Sequence, residues 1–471
     1  MDTILTPDLF DRPGPKYRVL SEGLREAVAA GQLAPGARLP PVRDLAWTLG
    51  ITPGTVARAY TLLTDEGLLR AEVGRGTFVA QAGTAAREAP GLIEIDAVRH
   101  TEGGDVEVVN LYSPHLPSVG QGDLIRQVLA QIAQVPPSGV MHYPSRHGAS
   151  AARAAMADWI SEAPIGPVGD ADLVLSMGGQ SGVMLALQCI LRGRRPVVLL
   201  EELAYPGFRR AAEALRAEVV AVAMDVDGIL PDALEAAIAR HPEAQVLCTS
   251  PEVHSPTTRF TPMPRRREIA EVLARHDLHV IDDDCYRMGE AAGESYRRLL
   301  PERGWYVSSV SKIITPALRA GCVVAPSGQG AALQRVAEVN FFGLATPMSD
   351  LVALLLPHPQ LPAILAAVRA RLAEFVDAAR RQLDGYALHW RPDVAFMWLD
   401  LPEGWRATAF CRAAERRGVQ VRAAEEFAAR EANAPHAVRL AINAGVSLRS
   451  FDAAMGRLRA LLDDPPDQIG V

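Results

Sequence analysis

The chain has 471 residues, a formal net charge of −7 and 49% hydrophobic residues, which fits a globular protein of two or three domains. It contains no apolar run of 18 residues and no basic-then-apolar start, so the sequence predicts neither a membrane span nor an export signal. Its five cysteines are scattered without a CxxC pair, which excludes a disulfide framework and a zinc site of that type. We therefore expect a cytoplasmic protein with reduced thiols.

Three helical patterns fill the first 66 residues. An amphipathic helix over residues 17–31 comes first, and a second covers Pro41–Leu49. A third starts at Pro53, where Thr52 is the N-cap, and runs to about residue 66. The short break between the second and third helices has the spacing of a helix-turn-helix.

Two short strand patterns, over residues 69–72 and 77–80, follow the helices and are joined by Gly74-Arg75-Gly76, which predicts a wing. In a helix-turn-helix, the early turns of the second helix reach phosphates and base edges of duplex DNA. We therefore expect residues 1–80 to bind double-stranded DNA; the alternative is a small helical domain whose arginines are only solvated. The side chains assigned to this interface are Arg43, Thr52, Thr55, Arg58 and Arg75.

These residues resemble a known DNA-binding family. The run LPPVRDLAWTLGITPGTVARAYTLLTDEGLLRAEVGRGTFVA is similar to the winged helix-turn-helix of GntR-type bacterial repressors, and the resemblance covers about residues 14–80. Its specific pieces are Leu39-Pro40 before Arg43, Thr55-Val56 before Arg58, and the glycine-rich wing. The resemblance implies a module that reads operator DNA.

Residues 81–107 are rich in alanine, glycine and glutamate and only weakly periodic, which predicts a linker. From residue 108 to residue 471, short apolar strand patterns alternate with helical ones. This alternation predicts an α/β domain with a mostly parallel sheet. The predicted strands are Leu173–Ser176, Val197–Leu200, Val219–Ala223, Gln245–Thr249, His279–Asp282 and Trp305–Ser308.

Lysine occurs only twice in the chain, at Lys16 and Lys312, while the other 46 of the 48 basic residues are arginine. An ammonium can lose its proton and add to a carbonyl as an imine, whereas a guanidinium cannot. Ser309 and Ser311 precede Lys312, and Arg319 follows it. An amine, two hydroxyls and a guanidinium are the groups that pyridoxal 5'-phosphate requires. The alternative is a lysine that has survived by chance in an arginine-biased chain.

Further polar groups follow the ends of predicted strands. The glycines after Leu173–Ser176 open a helix, where free backbone N–H groups and the helix dipole favour a phosphate. Asp282-Asp283-Asp284 ends another strand, and a carboxylate near a pyridine nitrogen keeps that nitrogen protonated. A metal site is the rival interpretation of the three aspartates, but no nearby set of His, Asp or Glu completes it. Tyr205 either stacks on the cofactor ring or belongs to the core.

Taken in order, these pieces resemble fold-type I aminotransferases over roughly Asn110 to Leu462. The SxSK…LRxG run is the most specific piece, supported by Gly178-Gly179-Gln180, by Tyr205-Pro206-Gly207 and by the Asp-x-x-Tyr that ends at Tyr286. The chain departs from the family at residues 254–258, which read His-Ser-Pro-Thr-Thr where an Asn-Pro-Thr-Gly turn is usual.

The resemblance implies roles for individual residues. Lys312 forms the imine, and Asp283 pairs with the pyridine nitrogen, with Asp284 as the alternate. Tyr286 bonds the ring hydroxyl, and Arg439 binds the α-carboxylate of an amino acid. Ser255 stands in place of the asparagine that also bonds the ring hydroxyl. The other cofactor-binding residues implied are Tyr205, Gly179, Gln180, Ser309, Ser311 and Arg319.

A GntR-type module before an aminotransferase-like domain resembles the MocR-type regulators, over nearly the whole chain. The fusion implies a pyridoxal phosphate-dependent transcriptional regulator that senses a small amine or amino acid through imine exchange at Lys312, and a homodimer. One alternative is a catalytically active aminotransferase with an appended DNA-binding domain. A third interpretation, a regulator that has lost its cofactor, is opposed by the retained Lys312.

Overall fold

The computed structural model of the chain contains two units, Met1–Ile95 and Asp96–Val471. It describes residues 16–34, 36–65, 68–72, 76–80, 108–134, 143–429 and 432–465. The predicted linker over residues 81–107 and the predicted wing residue Arg75 lie outside this part of the chain. Where the structure is described, none of the helices is both long enough and apolar enough to cross a bilayer.

The first unit has the helices and strands that its sequence predicts. Its hydrophobic core gathers one face of each helix with the hairpin, around Leu24, Val56 and Leu63. The two strands pair antiparallel, so that the first residue of one faces the last residue of the other. The elements are α1 (Lys16–Ala29), α2 (Val42–Leu49), α3 (Pro53–Asp65), β1 (Leu69–Glu72) and β2 (Gly76–Val79).

The turn between α2 and α3 is set by two residues. Gly50 has a φ of 61° and its N–H closes α2 on the carbonyls of Ala46 and Trp47, a left-handed conformation that glycine adopts without strain. The Thr52 hydroxyl then accepts the N–H of Thr55 at 3.3 Å and caps α3. The predicted helix-turn-helix is therefore present.

The second unit is an α/β structure. Its strands are β3 (Val109–Asn110), β4 (Leu173–Ser176), β5 (Val197–Glu201), β6 (Glu218–Val222), β7 (Met224–Asp225), β8 (Gly228–Ile229), β9 (Ala244–Thr249), β10 (His279–Asp283), β11 (Gly304–Ser309), β12 (Gly321–Val324), β13 (Leu388–His389), β14 (Phe396–Asp400), β15 (Val419–Gln420), β16 (Arg422–Ala423) and β17 (Ala437–Ala441). Its helices are α4 (Gln121–Gln134), α5 (Ser150–Ile160), α6 (Gly179–Ile190), α7 (Pro206–Ala214), α8 (Pro231–Arg240), α9 (Met263–Arg275), α10 (Tyr296–Leu299), α11 (Gly330–Phe341), α12 (Thr346–Leu355), α13 (Leu361–Gln382), α14 (Ala407–Arg416) and α15 (Leu448–Leu462).

Within the described residues, a seven-stranded sheet in the order β4-β12-β11-β10-β9-β5-β6 forms the centre of this unit. All six predicted strands belong to it. Neighbouring strands from β11 to β6 are parallel, whereas β12 lies antiparallel between β4 and β11. Strand β12 was not predicted, because Gly321–Val324 follows the Lys312 segment without an intervening helix and so does not fit the alternation of strands and helices. The prediction of a mostly parallel sheet is confirmed.

Both faces of this sheet are buried. Val198 and Leu200 of β5 pack with α6, α7 and α11, while the intervening Val197 and Leu199 pack with α8 and α9. Successive side chains of a strand point to opposite faces, so a strand covered on both sides is apolar at every position. This explains why the central strands read as continuous apolar runs.

A smaller antiparallel sheet, in the order β13-β14-β17-β16, packs with α13, α14 and α15. Aromatic contacts hold this layer, and the rings of Phe375 and Phe451 meet edge to face at 5.1 Å. The short strand β3 pairs with β15, which brings residues 109–115 against the same layer. Arg439 lies in β17 and is thereby positioned beside the large sheet.

Candidate functional site

The predicted site residues of the second unit follow the carboxyl ends of the parallel strands. Gly179 comes after β4, Tyr205 after β5, Ser255 after β9, and Lys312 after β11, while Asp283 is the last residue of β10. These ends meet at one edge of the sheet, which is where ligands bind in open α/β folds. The topology alone therefore brings together residues that are far apart in sequence.

Lys312 ends a 3-10 turn, Val310–Lys312, that directly follows β11. Ser309 shapes this turn, since its Oγ accepts the N–H of Ser311 at 3.2 Å and lies 3.0 Å from both the Ala320 carbonyl and the Ser311 hydroxyl. The Ser309 hydroxyl is thus engaged within the segment. The Lys312 Nζ lies 5.3 Å from the ring centroid of Tyr286.

The beginning of α6 is an anion-binding arrangement. Its N-cap Gly178 has a φ of 79°, and the guanidinium of Arg319 lies so close that a Cβ on Gly178 would be 3.1 Å from Nη2. Arg319 itself has a φ of 46° and donates from Nη2 to the Met177 carbonyl at 3.1 Å. A guanidinium therefore stands beside the free N–H groups of a helix N-terminus.

All three adjacent aspartates accept hydrogen bonds within the protein. The Asp284 Oδ2 accepts the Tyr306 hydroxyl at 2.5 Å and the Arg287 Nε at 2.7 Å. The Asp282 Oδ2 accepts the N–H of Tyr296 at 2.9 Å. Among the described residues, no group of three His, Cys, Asp or Glu side chains is arranged to hold a metal ion.

Asp283 points the other way. Alternation along β10 puts its side chain on the face of Ile281, which packs in the core under α6. Its Oδ1 accepts the N–H of Cys285 at 3.1 Å. Burial raises the pKa of Asp283 to about 6, although the hydrogen bonds from Cys285 and the charge of Lys312 oppose the increase. A carboxylate that ionises near neutrality thus lies on the α6 side of the sheet.

Tyr286 connects the lysine to the arginine of β17. Its ring meets Phe396 edge to face at 5.0 Å, and the charges of Lys312 and Arg439 act on its hydroxyl. Burial alone would raise the pKa of Tyr286, but these two cations outweigh it and lower the pKa. The phenol is therefore more acidic than usual, which makes its O–H a better hydrogen-bond donor.

Arg439 is 4% exposed, and its guanidinium lies 5.3 Å from the ring centroid of Phe396 and 4.8 Å from that of Phe427. Nη2 donates to the Tyr112 carbonyl at 2.7 Å and Nη1 to the Ser255 hydroxyl at 3.4 Å. Within the described residues, the buried Nε has no hydrogen-bond partner. A desolvated guanidinium with an unused N–H binds an anion strongly.

Ser255, which stands in place of the asparagine of the family turn, is thus a neighbour of Arg439. Ser255 is buried, and its turn is completed by Thr258, whose φ of 67° lies in the left-handed region and whose N–H donates to the His254 carbonyl at 2.8 Å. The backbone keeps the conformation that a glycine would adopt, although a β-branched residue is strained there. Replacing the glycine therefore leaves the shape of the turn in place.

Tyr205 and Gln180 connect α6 with α7. The Tyr205 ring meets Phe208 edge to face at 5.7 Å and packs over Gly207, where any side chain would collide with it. The Gln180 Nε2 donates to the Gly207 carbonyl at 3.1 Å. Tyr205 is half-buried, so its ring combines a core contact with an exposed part.

Two further side chains of this region, His115 and Cys285, were not predicted from the sequence. Burial and the nearby charge of Lys312 lower the pKa of His115, and the backbone of His115 bonds Ile442 and Ala444. Cys285 packs against Gly179. No spacing rule joins His115 to a lysine almost 200 residues later, whereas the position of Cys285 between Asp283 and Tyr286 was a usable signal.

The predicted DNA-contacting residues lie on the helix-turn-helix, apart from Arg75. Arg43 and Arg58 are exposed, and the Arg58 guanidinium lies 4.2 Å from the ring centroid of Tyr17. Thr52 and Thr55 bond each other through their hydroxyls at 2.9 Å. In the structure these two threonines therefore cap the start of α3.

Two further exposed groups of this unit were not predicted. Trp47, on α2, is 90% exposed. Arg38 pairs with Phe78 of the hairpin, and its Nε would be 3.0 Å from a Cβ on Gly76. Arg38 therefore puts a cation beside Gly76, at the start of β2.

Comparison with known proteins agrees with this geometry. Residues 107–458 match the family Aminotransferase class I and II, and residues 16–79 match Bacterial regulatory proteins, gntR family. The chain belongs to the class I and II aminotransferase family. Its N-terminal GntR helix-turn-helix makes it a DNA-binding regulator with an aminotransferase-like domain, the arrangement of the MocR-type regulators.

Two similar proteins are named as HTH-type transcriptional regulators. The HTH-type transcriptional regulator YdeF of Bacillus subtilis is 26% identical over 467 residues, which cover 97% of this chain and 96% of the relative. The HTH-type pyridoxine biosynthesis transcriptional regulator PdxR of Corynebacterium glutamicum is 27% identical over 324 residues, or 67% of each chain.

Among solved structures, the α-aminoadipate aminotransferase LysN of Thermus thermophilus superimposes with a TM-score of 0.65 at 24% identity. The superposition covers 76% of this chain and 92% of LysN, and it shows the fold. The family indicates pyridoxal 5'-phosphate as the cofactor of the MocR-type regulator.

Proposed function

We propose that this protein is a pyridoxal phosphate-dependent transcriptional regulator that senses a small amine or amino acid through exchange at Lys312. We further propose that it acts as a homodimer on double-stranded operator DNA in the cytoplasm. The observation that carries the proposal is the chain of contacts from Lys312 through the rings of Tyr286 and Phe396 to Arg439. It joins an amine that can hold an aldehyde to a buried cation that can hold a carboxylate.

The residues present fit the cofactor. The first turn of α6, with the Gly179 and Gln180 amides and Arg319, would hold the phosphate, and Ser311, one residue before Lys312, would assist. Asp283 would pair with the ring nitrogen, because its side chain lies on the α6 side of the sheet, whereas Asp282 alternates to the opposite face and Asp284 is engaged by Tyr306 and Arg287. A side chain on Gly179 would collide with Cys285, so the packing of Cys285 against the start of α6 requires glycine there.

Tyr286 and Ser255 have separate roles in this proposal. The Tyr286 hydroxyl would donate to the ring oxygen, since its two cationic neighbours make the phenol more acidic. The Ser255 hydroxyl instead contacts Arg439 at 3.4 Å and helps to orient the guanidinium. Tyr205 would contact the ring through its exposed part. Ser309 would act indirectly, by fixing the turn that carries Lys312.

When bound, pyridoxal phosphate supplies an aldehyde carbon that holds one amine at a time and a ring that withdraws electrons. Lys312 would hold the group through its amine and would take up the proton given up by an amine that replaces it. The Tyr286 hydroxyl would pass such a proton, since its ring lies 5.3 Å from the Lys312 Nζ. Arg439 holds the carboxylate of an amino acid at a fixed distance from Lys312, and the flanking aromatic rings exclude water.

Exchange can regulate DNA binding if the two states of the site favour different arrangements of the protein. A freed Lys312 and a newly filled carboxylate site change the charge pattern around Tyr286. Steady-state turnover would consume the signal, so we expect transamination to be slow. The competing function, an aminotransferase with an appended DNA-binding domain, predicts fast turnover instead.

The proposal is tested by absorbance spectroscopy of the purified full-length protein. Wild type should show a visible cofactor band that shifts when a panel of L-amino acids and simple amines is titrated in, and Lys312→Ala should lack it. Borohydride reduction followed by peptide mapping should label Lys312. Since Lys16 is the one other lysine in the chain, a label there would refute the assignment.

A further inference from the structure

The buried side chain of His254 joins the turn after β9 to the segment after β5. Its Nδ1 lies 2.6 Å from the Thr257 hydroxyl, and its Nε2 lies 2.9 Å from the Leu203 carbonyl. A carbonyl oxygen only accepts, so Nε2 carries a proton and donates it to Leu203. In the neutral ring, Nδ1 then accepts the O–H of Thr257. Both ring nitrogens therefore hold the two segments together.

A buried carboxylate lies beside the imidazole. Glu201 is the last residue of β5 and is 2% exposed, and its Oε1 accepts the Thr249 hydroxyl at 2.7 Å. Its Oε2 lies 3.4 Å from the Nε2 of His254 and has no hydrogen-bond partner in the part of the chain that the structure describes. A buried carboxylate oxygen favours a nearby N–H. Glu201 therefore helps to keep the imidazole in one orientation.

The main chain of His254 closes the turn that carries Ser255. Its carbonyl accepts the N–H of Thr258 at 2.8 Å, and its own N–H donates to the Arg259 carbonyl at 2.8 Å. Thr258 has a φ of 67°, which is strained for a β-branched residue and persists only where the surroundings fix it. An anchored His254 supplies part of that constraint.

The two segments that His254 joins border Arg439 from different sides. On one side, the next residue, Ser255, contacts Nη1 at 3.4 Å. On the other side, the residue after Leu203 donates its N–H to the Phe427 carbonyl at 2.9 Å. The Phe427 ring lies 4.8 Å from the Arg439 guanidinium. A displacement of His254 would therefore move two of the groups that surround this arginine.

We propose that His254 is a positioning residue for the carboxylate site: its two ring nitrogens hold Ser255 and the Phe427 wall in place around Arg439, and so set the affinity for the carboxylate of an amino-acid effector. The inference rests on the proposed role of Arg439. Lys312 and the first turn of α6 lie outside the two segments that His254 joins. Loss of the imidazole should therefore weaken binding of an amino acid while cofactor uptake and binding of a carboxylate-free amine persist.

The test compares His254→Leu with His254→Gln, because glutamine can still donate to the Leu203 carbonyl and leucine cannot. His279→Leu is the matched control, since His279 bonds the Arg303 carbonyl at the first residue of β10, at the opposite edge of the sheet from the site. The cofactor band of the full-length protein is titrated with an amino acid and with its carboxylate-free amine. Hydrogen–deuterium exchange of residues 254–261 is measured in the same proteins without effector.

We expect His254→Leu to raise the dissociation constant of the amino acid about threefold to tenfold, while the amine binds as it does to wild type. The loss is smaller than for replacement of Arg439, because the guanidinium itself remains. The backbone N–H groups of residues 254–261 should exchange faster, since the strained turn has lost its anchor. His254→Gln should recover most of both effects, and His279→Leu should behave as wild type.

Equal affinity of wild type and His254→Leu for the amino acid would overturn the inference, as would an equal loss for the amine or equal impairment of the leucine and glutamine variants. If His254→Leu does not fold, Thr257→Val and Thr257→Ser repeat the comparison, because valine removes the hydroxyl at matched size and serine keeps it. If even wild type takes up no pyridoxal phosphate, the proposed function fails, while the exchange measurement still decides whether His254 holds the turn.

Discussion

Replacing Arg439 by lysine removes the guanidinium fork while keeping the positive charge. In the protein, Nη2 and Nη1 are occupied by the Tyr112 carbonyl at 2.7 Å and the Ser255 hydroxyl at 3.4 Å. The buried Nε has no partner among the described residues. A carboxylate that enters the site can therefore bond Nε and share the outer N–H groups, whereas a lysine ammonium offers one compact point of contact.

The expected loss follows from these contacts. A hydrogen bond to a charged group contributes about 1.5–3 kcal/mol, and Arg439→Lys should lose about one such bond to the carboxylate. The dissociation constant of an amino-acid effector should then rise about tenfold to a hundredfold. A simple amine without a carboxylate should bind both proteins alike, because it does not use Arg439.

The assay is a spectroscopic titration of the cofactor band with an amino acid and with its carboxylate-free amine. Arg422→Lys is the matched control, since Arg422 faces Arg439 across the strand pair and donates to the same Tyr112 carbonyl at 3.1 Å but is paired with Glu426. The reasoning is refuted if Arg439→Lys binds the amino acid as tightly as wild type. It is also refuted if the amine loses as much affinity as the amino acid.

Two further predictions concern DNA binding and pH. Arg58→Ala should weaken operator binding by about 1–3 kcal/mol and relax sequence preference; unchanged affinity in fluorescence anisotropy at fixed salt would remove Arg58 from the interface. Burial raises the pKa of Asp282 from 3.8 to about 8, so between these values the folded protein holds a proton that the unfolded chain has released. Its stability should therefore fall with rising pH by up to about 1.4 kcal/mol per unit. Asp282→Asn imitates the protonated side chain and should flatten that slope in urea unfolding between pH 5 and pH 8, whereas an unaltered slope would mean that Asp282 is ionised in the folded protein.

The elements that were predicted well are those whose hydrophobic pattern, or whose cap and turn residues, lie within one short segment of the sequence. Gly50, Thr52 and Pro53 mark the helix-turn-helix, and the doubly buried strands read as apolar runs because helices cover both faces of the sheet. The strand β12 was missed since its four residues, Gly321–Val324, lack the preceding helix that the alternation rule expects. An antiparallel strand inside a parallel sheet depends on contacts made elsewhere in the chain.

The sequence predicted those residues of the site that belong to short motifs. The pleat of β10 explains why three adjacent aspartates divide between two faces, but the partners of Asp284 and Asp282 become visible only in three dimensions. His115 escaped prediction because it comes near Lys312 only in three dimensions, and the sequence marked Cys285 by its place between Asp283 and Tyr286 but not its contact with Gly179. Contacts of this kind join distant segments and leave no spacing in the sequence.

The most direct test of the account measures the coupling between the effector and DNA. The affinity of the full-length protein for an operator selected from random DNA is measured with and without the amine or amino acid that shifts the cofactor band. We expect a change of about 1–3 kcal/mol in wild type, and in Lys312→Ala normal DNA binding with most of that response lost. A protein that transaminates the same compound rapidly while its DNA affinity stays constant would contradict the account and identify an enzyme.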